Sequence, residues 1–276
     1  MAPDLPESLK MPETSPTTEK PEPLIDSHCH LFLPEFKADW PQVLERARQA
    51  GVTTIINLGL DARTNQEAFQ LADDYPELRA TVGWHPHEAE KCQKTDLLDL
   101  AQLAQRPDNL AIGEIGLDFY RSLAPKDRQI QLFHQLLDLA AQLTLPVVIH
   151  TREAFAETVA ILKAHRPTLG RILIHCFTGS WDEAQAYLDL DCHFSIPGVV
   201  TFPQAAPLRH ALGQIPHDKI LLESDAPYLA PIPRRGRRNE PAYVAYTLLA
   251  LAESLGTRPR QAAQLTTQNA RRFFGL

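Results

Sequence analysis

Short apolar or β-branched runs alternate along this chain with longer segments of amphipathic, helical spacing. Helical patterns such as the one from Gln129 to Gln142 separate the runs from one another. This alternation is expected of repeated βα units around a parallel sheet. The eight predicted strands lie near residues 24–30, 53–58, 79–84, 110–115, 146–150, 171–175, 192–196 and 220–224.

Polar residues follow nearly every one of these predicted strands. In a doubly wound open sheet, a ligand binds at one switch point, so polar residues would be needed at few strand ends. In a (β/α)8 barrel, all the strand ends converge on one mouth. The segment 24–276 also has about the 250 residues typical of that fold. We therefore predict an α/β protein with a single TIM barrel domain over residues 24–276.

The segment before the first predicted strand has a different composition. Residues 1–23 contain six prolines, five acidic residues and two lysines, with only scattered apolar positions. Such a segment has little to bury and much to solvate. We therefore predict that residues 1–23 form a mobile, disordered proline-rich tail.

Composition and charge narrow the possible function classes. The formal net charge of −7 argues against a general nucleic-acid coat, because such proteins need broad basic surfaces. Any nucleic-acid contact must therefore be local. No apolar stretch approaches the ~20 residues that span a bilayer, the N-terminus lacks a signal-peptide pattern, and the four cysteines show no Cys-x-x-Cys spacing. We expect a cytoplasmic protein with reduced thiols and no membrane partner.

Residue types that bind metals follow several of the predicted strands. Alternation along the first strand places His28 and His30 on one face and Cys29 on the other, so the two imidazoles can share a metal. Glu114 lies among apolar neighbours, where a nearby cation would offset the cost of an unpaired carboxylate. Its two oxygens make it the candidate bridge between two metals. Further candidates at strand ends are His85, His87, His150, His175 and Asp225.

This set of residues points to hydrolysis. A metal lowers the pKa of bound water from ~16 toward ~7, and a second metal can stabilise both oxygens of a phosphodiester displacement. Asp225 can ligate a metal and accept a proton from water. The proposed donors are all nitrogen or oxygen, so magnesium, manganese and zinc stay open for two divalent ions.

Positive charge is concentrated in a proline-bounded loop after the eighth strand. Arg235 and Arg237 in this loop, with Arg121 and Arg152 after earlier strands, are candidate contacts to a phosphate-bearing substrate. The alternative for the loop is a solvated charged turn. Aromatic residues near strand ends either stack bases or pack the top of the barrel. These aromatic residues are Trp84, Phe119, Tyr120, Phe177 and Tyr228.

The motifs resemble those of the TatD-type metal-dependent deoxyribonucleases of the amidohydrolase superfamily. The resemblance covers about residues 24–276, and order and spacing agree throughout. Ser224 and Ala226 stand where threonine and serine are expected, which removes no candidate ligand. The matching blocks are Asp-Ser-His-Cys-His-Leu at 26–31, Gly-Trp-His-Pro-His at 83–87, Gly-Glu-Ile-Gly-Leu-Asp at 113–118, Leu-Pro-Val-Val-Ile-His at 145–150, His-Cys-Phe-Thr-Gly at 175–179, Glu-Ser-Asp-Ala-Pro-Tyr-Leu at 223–229, Arg-Asn-Glu-Pro at 238–241 and the C-terminal 269–276.

The resemblance implies a TIM barrel with a two-metal centre and an activity on DNA. His85 is implied to approach the scissile phosphate, and Asp225 to orient or deprotonate the attacking water. Members of the family cleave DNA, often as 3′ to 5′ exonucleases on single strands, so the implied partner is single-stranded DNA or a 3′ end. The implied ligands are His28, His30 and Asp225 on one metal and His150 and His175 on the other, with Glu114 bridging.

Two alternatives to a DNA phosphodiesterase stay open at this point. The same barrel and metals also polarise carbonyl oxygens, so the runner-up is ester or amide hydrolysis, including that of an aminoacyl-tRNA. A metal-binding scaffold without turnover is the third hypothesis, and the complete ligand set argues against it. No obligate protein partner is evident. The histidines interpreted as surface or packing residues are His87, His134, His165, His193, His210 and His217.

Overall fold

Within residues 22–276, the range that the structure describes, eight parallel strands form one closed sheet. The structure is a computed structural model, and each strand pairs with the next one along the sequence. The last strand meets the first where Cys29 bridges Ala226 and the Asp225 N–H donates to the His28 carbonyl at 2.9 Å. The strands are β1 (Leu24–Cys29), β2 (Val52–Leu58), β3 (Leu78–Val82), β4 (Asn109–Asp118), β5 (Val147–Arg152), β6 (Ile172–Ile174), β7 (His193–Ile196) and β8 (Ile220–Leu222).

Amphipathic helices cover the outside of the barrel. The long helix α4 contains the predicted helical segment and buries Leu132, Phe133 and Leu136. A capping box begins α2, because the side chains of Asp61 and Thr64 each bond the other residue's N–H. Across residues 22–276, no helix has both the length and the apolarity needed to cross a bilayer. The helices are α1 (Trp40–Gln49), α2 (Ala62–Asp74), α3 (Lys94–Leu103), α4 (Lys126–Leu143), α5 (Phe155–His165), α6 (Trp181–Leu188), α7 (Ala206–Leu212), α8 (Val244–Ser254) and α9 (Pro259–Phe274).

The apolar core has two layers. The outer layer lies between strands and helices and includes Ile112, Ile115 and Ile149. The inner layer joins strand residues to Phe273 and Phe274 of α9, both of which are buried. Apolar side chains therefore fill the barrel on the side of α9, which leaves the carboxyl ends of the strands for polar groups. The strand residues of the inner layer are Ile25, Ile56, Leu58, Ala111, Val148, Leu173 and Leu221.

A register shift in β4 turns Glu114 toward the barrel interior. Ile112 pairs with Val147, and Ile115 pairs with Ile149, so β4 contains one more residue than β5 across this interval. Strict alternation would place Ile112 and Glu114 on the same face. The extra residue breaks the alternation, which lets both isoleucines pack in the outer layer while Glu114 faces the site.

Two glycines allow close approach of the backbone beside Glu114. Gly116 has a φ of +141°, and a Cβ there would lie 2.0 Å from the carbonyl oxygen of His150. A Cβ on Gly83 would lie 2.4 Å from the backbone nitrogen of Glu114. Any larger residue at either position would push apart the strands that carry the site.

The predicted fold is confirmed. The observed strands lie within a few residues of the predicted ones, and closure of the sheet excludes the doubly wound alternative. The predicted mobile tail lies outside the described residues up to position 21. The next two residues contact α9: Glu22 lies 2.6 Å from the guanidinium of Arg260, and the Pro23 carbonyl accepts a 2.7 Å hydrogen bond from Thr267.

Candidate metal centre

The side chains predicted as metal ligands meet at the carboxyl end of the barrel. They come from β1, β4, β5, from the residue after β6 and from the segment after β8. Their positions in the sequence are far apart, and the closed sheet brings them to one place. All are buried except the partly exposed His150. The residues are His28, His30, Glu114, His150, His175 and Asp225.

The carboxylate of Glu114 lies between two pairs of histidines. Its Oε2 atom is 3.2 Å from Nε2 of His28 and 3.5 Å from Nε2 of His30. Its Oε1 atom is 2.8 Å from Nδ1 of His150 and 2.9 Å from Nε2 of His175. One oxygen therefore faces each pair, which is the arrangement that a carboxylate bridging two cations requires.

Asp225 joins the first of these pairs. Its Oδ1 atom lies 3.9 Å from Nε2 of both His28 and His30. The backbone of Asp225 has a φ of +56°, in the left-handed region that non-glycine residues seldom occupy. Two backbone hydrogen bonds hold it there, one to the His28 carbonyl and one from the N–H of Tyr228 at 2.8 Å. The carboxylate is thus fixed by the join between β1 and β8.

In two of the histidines, the ring nitrogen that faces away from Glu114 lies close to a hydrogen-bond acceptor. Nδ1 of His30 lies 2.9 Å from the Leu58 carbonyl oxygen, so this nitrogen carries the proton and Nε2 has its lone pair free. Nε2 of His150 lies 3.3 Å from the carboxylate of Asp118, which leaves Nδ1 free at the site. Such partners set the tautomer and orientation of metal-ligating histidines.

The other two histidines are held differently. Nδ1 of His175 lies 3.7 Å from Oε1 of the buried Glu223, close enough for an electrostatic contact. The other oxygen of Glu223 accepts a 2.5 Å hydrogen bond from Ser195. Nδ1 of His28 has no hydrogen-bond partner within the described range, and its ring stacks on His175 at 3.9 Å. In both residues Nε2 points at Glu114.

This donor set fits divalent cations. Within residues 22–276, three groups of potential ligand atoms have all members within 4.8 Å of one another. Every group mixes imidazole nitrogen with carboxylate oxygen, donors that zinc and manganese accept and whose carboxylates suit magnesium. The three groups are His28 with His30 and Asp225, His28 with Glu114 and His175, and His85 with Glu114 and His150.

The electrostatics of the centre favour a bound cation. Burial by itself raises the pKa of Glu114, but the surrounding imidazoles, above all that of His175, outweigh burial and hold this pKa well below its ordinary value. Burial raises the pKa of Asp225 to about 7, and the carboxylate of Glu223 adds to the increase. Anionic Asp225 is therefore costly in the protein alone, and a cation at the centre would offset that cost.

Asp26 fastens β1 to the segment that carries Asp225. Its carboxylate is fully buried and accepts hydrogen bonds from the Ser224 N–H at 2.8 Å, from the Ser224 hydroxyl at 2.6 Å and from the His28 N–H at 3.3 Å. The hydroxyl that serine shares with threonine is the group used here. Burial raises the pKa of Asp26 to about 8.

We expect Asp26→Asn to change the pH dependence of stability. The folded-state pKa near 8 lies above the unfolded value of about 3.8. Asp26 therefore adds to the free energy of unfolding fully below pH ~4, and this stabilisation is lost as the pH rises toward 8. The variant mimics the protonated acid and lacks this loss. The free energy of unfolding of the wild type relative to the variant should fall by about 2–4 kcal/mol between pH 5 and pH 8.

Urea denaturation of chelator-treated protein at the two pH values measures this difference. Asp218→Asn, which removes an exposed carboxylate, controls for the loss of one charge. An equal wild-type-to-variant difference at both pH values would contradict a raised Asp26 pKa.

His85 presents a hydrogen-bond donor to the centre. Its Nδ1 atom accepts a 3.2 Å hydrogen bond from the N–H of His87, so Nδ1 is unprotonated. Burial lowers the pKa of His85 to about 4, which keeps the ring neutral near pH 7 with its proton on Nε2. Nε2 lies 3.4 Å from Oε1 of Glu114. This tautomer favours contact with an oxygen atom over metal ligation by His85.

The sequence-based interpretation missed a supporting layer of the centre. His87, predicted to be a surface or packing residue, is partly buried, and its Nε2 lies 2.8 Å from Asp118, the carboxylate that also contacts His150. Gln129 of α4 bonds both the N–H and the carbonyl of Asp118. Asp118 and Glu223 both lie inside the matched motifs. A carboxylate among apolar neighbours in the sequence was the signal that could have identified them as part of the site.

The two cysteines next to ligands differ from each other. Cys29 is fully buried in the outer core layer, as alternation predicted. Cys176 is partly exposed and lies within the electrostatic reach of Asp225 and Glu223. Its φ of +50° ends the strand geometry after His175, so alternation no longer sets its direction. All four thiols are free.

The arginines near the mouth fall into two classes. Arg238 forms hydrogen bonds at 2.6 and 2.8 Å to Asp39, which ties the loop after β8 to the start of α1. The guanidinium of Arg152 lies 3.9 Å from the ring centroid of Tyr120. In the described part of the chain, the four arginines predicted to contact substrate have no ion pair with a carboxylate. These four are Arg121, Arg152, Arg235 and Arg237.

A protein-family model described as TatD related DNase matches residues 25–275. A protein of Pantoea vagans named 3′-5′ ssDNA/RNA exonuclease TatD is 39% identical over 259 residues, covering 92% of this chain and all of the relative. The metal-dependent hydrolase YabD of Bacillus subtilis, described as uncharacterized, is 36% identical over 253 residues, covering 92% of this chain and 99% of the relative.

The fold comparison agrees with the sequence comparison. The crystal structure of YjjV, a TatD homologue from Escherichia coli K12, superposes with a TM-score of 0.86 and 32% identity. The match covers 92% of this chain and 98% of that structure. The resemblance predicted from the motifs is therefore confirmed by a match over almost the whole barrel. This chain belongs to the family of TatD-related DNases.

Proposed function

We propose that this protein is a divalent-metal-dependent nuclease that removes nucleotides from the 3′ end of single-stranded DNA. The observation that carries the proposal is the position of Glu114, with one carboxylate oxygen facing His28 and His30 and the other facing His150 and His175. Two cations held about 3.5–4 Å apart suit an in-line displacement at phosphorus. The family membership supports a metal-dependent hydrolase of phosphodiester bonds.

The candidate ligands form two metal positions in this proposal. His28, His30 and Asp225 would hold one cation, and His150 and His175 the other. Glu114 would contact both cations. Magnesium, manganese and zinc are the proposed candidates, because all donors are nitrogen or oxygen. When bound, two such ions polarise phosphoryl oxygens and lower the pKa of water.

Asp225 and His85 are the proposed catalytic side chains. Asp225 has a carboxylate oxygen near His28 and His30 that can accept the proton of the attacking water. On the opposite side of Glu114, the neutral His85 directs Nε2–H at the centre, where it can donate a hydrogen bond to a phosphate oxygen. Glu114, between them, keeps the two halves of the site at a fixed separation.

The names of relatives support the proposed polarity and strand preference. The Pantoea vagans relative is named as a 3′-5′ exonuclease of single-stranded DNA and RNA, so RNA is tested beside DNA as a substrate. A cytoplasmic location is also part of the proposal, in keeping with the four free thiols.

Cleavage of end-labelled oligonucleotides tests the proposed function. Single-stranded DNA labelled at the 3′ or the 5′ end is incubated with magnesium, manganese, zinc or a chelator. We expect metal-dependent release of 3′-terminal nucleotides, shown by immediate loss of a 3′ label and stepwise shortening of the 5′-labelled strand. Intact DNA and RNA under every metal would contradict the proposal, and hydrolysis of aminoacyl or other ester substrates would then support the runner-up activity.

Arg152→Ala should raise KM about tenfold on oligonucleotides with little change in kcat. Arg152 lies on the same side of β5 as His150, two residues further along, and has no ion pair with a carboxylate in the described range. A phosphate contact made equally in ground and transition states affects KM alone. The slope of the logarithm of the binding constant against the logarithm of the salt concentration should also decrease by about 1, because one phosphate contact is lost.

Arg238→Ala is the matched control for this prediction. Arg238 is paired with Asp39, so its loss should lower the melting temperature without changing the salt dependence. If Arg152→Ala leaves both KM and the salt dependence unchanged, Arg152 does not contact the substrate.

A further inference from the structure

The ring of Tyr228 lies exposed beside the metal centre. Tyr228 is 50% exposed, although tyrosine usually buries most of its ring. Its ring centroid is 6.5 Å from that of His30, a candidate ligand of the first cation. An exposed aromatic ring next to a phosphodiester-cleaving centre offers a face on which a nucleobase can stack.

The backbone of Tyr228 is fixed relative to the catalytic side chain. Its N–H donates to the Asp225 carbonyl at 2.8 Å, and its own carbonyl accepts a 2.6 Å hydrogen bond from the amide of Asn239. Asn239 is fully buried and also donates to the Ser224 carbonyl at 2.7 Å. A rigid aromatic side chain loses little conformational entropy when a ligand stacks on it.

The other aromatic candidates are either buried or have a cation over the ring. Trp84 and Phe177 are buried in the outer core layer, so of the two alternatives left open by the sequence they pack the barrel. Tyr120 is 55% exposed, but the guanidinium of Arg152 covers one face of its ring. Lys126 lies over the ring of Phe119 at 4.2 Å. Among residues 22–276, the one ring contact found for Tyr228 is the edge contact with His30.

We propose that Tyr228 is the stacking platform for the terminal nucleobase, and that it selects strand ends whose last base is unpaired. This inference rests on the proposed nuclease function and assigns the part of the substrate that the site recognises. A base within a duplex is covered by its neighbours, whereas an unpaired terminal base has a free face for the ring.

The test compares two oligonucleotides that differ only in the terminal base. One has an ordinary 3′-terminal nucleotide, and the other has an abasic sugar at that position. We expect Tyr228→Ala to lower kcat/KM about tenfold on the ordinary strand and less than about twofold on the abasic strand. Tyr228→Phe should retain most activity on both, because the ring and not the hydroxyl makes the contact.

Binding gives a second readout that does not require turnover. In chelator, fluorescence anisotropy of a 5′-labelled oligonucleotide should show weaker binding by Tyr228→Ala than by the wild type for the ordinary strand and equal binding for the abasic strand. Leu123→Ala removes another exposed apolar side chain that follows β4, and we expect it to leave both measurements unchanged. Melting temperatures confirm that each variant is folded.

Several outcomes would overturn the inference. Equal losses on the ordinary and abasic strands would mean that Tyr228 acts through the metal centre and not through the base. Wild-type activity of Tyr228→Ala on the ordinary strand would remove any role for the ring. Failure of the proposed function has a different signature, because the wild type would then cleave neither oligonucleotide with any metal.

Discussion

Replacing Asp225 with asparagine should lower kcat on single-stranded DNA by about 10³-fold while the barrel stays folded. The amide has nearly the same shape as the carboxylate, so the backbone hydrogen bonds to His28 and from Tyr228 should remain. It has no negative charge and cannot accept the proton of the attacking water. General-base catalysis contributes about 10²–10⁴ to a rate, and weaker metal binding adds to the loss.

Two measurements separate the contributions of Asp225. Metal content, measured by mass spectrometry after gel filtration, shows whether the first cation is still bound. Single-turnover cleavage at saturating metal then isolates the proton-transfer role. Asp218→Asn changes an exposed aspartate in the turn before β8 and should behave as the wild type. If Asp225→Asn retains full single-turnover activity at saturating metal, another group must accept the proton.

The barrel could be predicted because the pattern that indicates it lies within short segments of the sequence. Each strand is a short apolar run, and the closed sheet orders these runs as they occur in the sequence. The candidate ligands were predictable for the same reason: His28 and His150 lie in the last three residues of their strands and His175 directly follows one, and strand ends converge in this fold. Neither inference required knowledge of a contact between distant residues.

The parts that could not be predicted depend on contacts between distant segments. Glu114 was predicted as a bridging ligand from its charge and its apolar neighbours, but strict alternation would turn it away from the site, and only the pairing of β4 with β5 reveals the extra residue that turns it inward. The loop arginines look alike in the sequence, yet Arg238 is paired with Asp39, 199 positions away. His87 joins the centre through Asp118, which lies 31 positions further along. Spacing along the chain contains no information on such pairs.

If the centre holds two cations as proposed, Glu114→Gln should reduce the bound metal to at most one ion per chain and lower kcat by at least about 10³-fold. The carboxylate directs one oxygen at His28 and His30 and the other at His150 and His175. A carboxamide keeps one oxygen and replaces the other with an NH₂ group, which has no lone pair to offer a cation. The variant also removes the negative charge around which the four imidazoles are arranged, so electrostatic stabilisation of both cations is lost.

Glu90→Gln, at an exposed position, is the matched control and should bind metal as the wild type does. The number of metal ions bound per chain distinguishes a bridging ligand from a terminal one. A bridging ligand contacts two ions, whereas a terminal ligand contacts one. Asp225→Asn should therefore weaken one ion, whereas Glu114→Gln should disturb both. If Glu114→Gln still binds two ions with wild-type affinity, the carboxylate is not a bridge, and the two pairs of histidines would have to hold their cations independently.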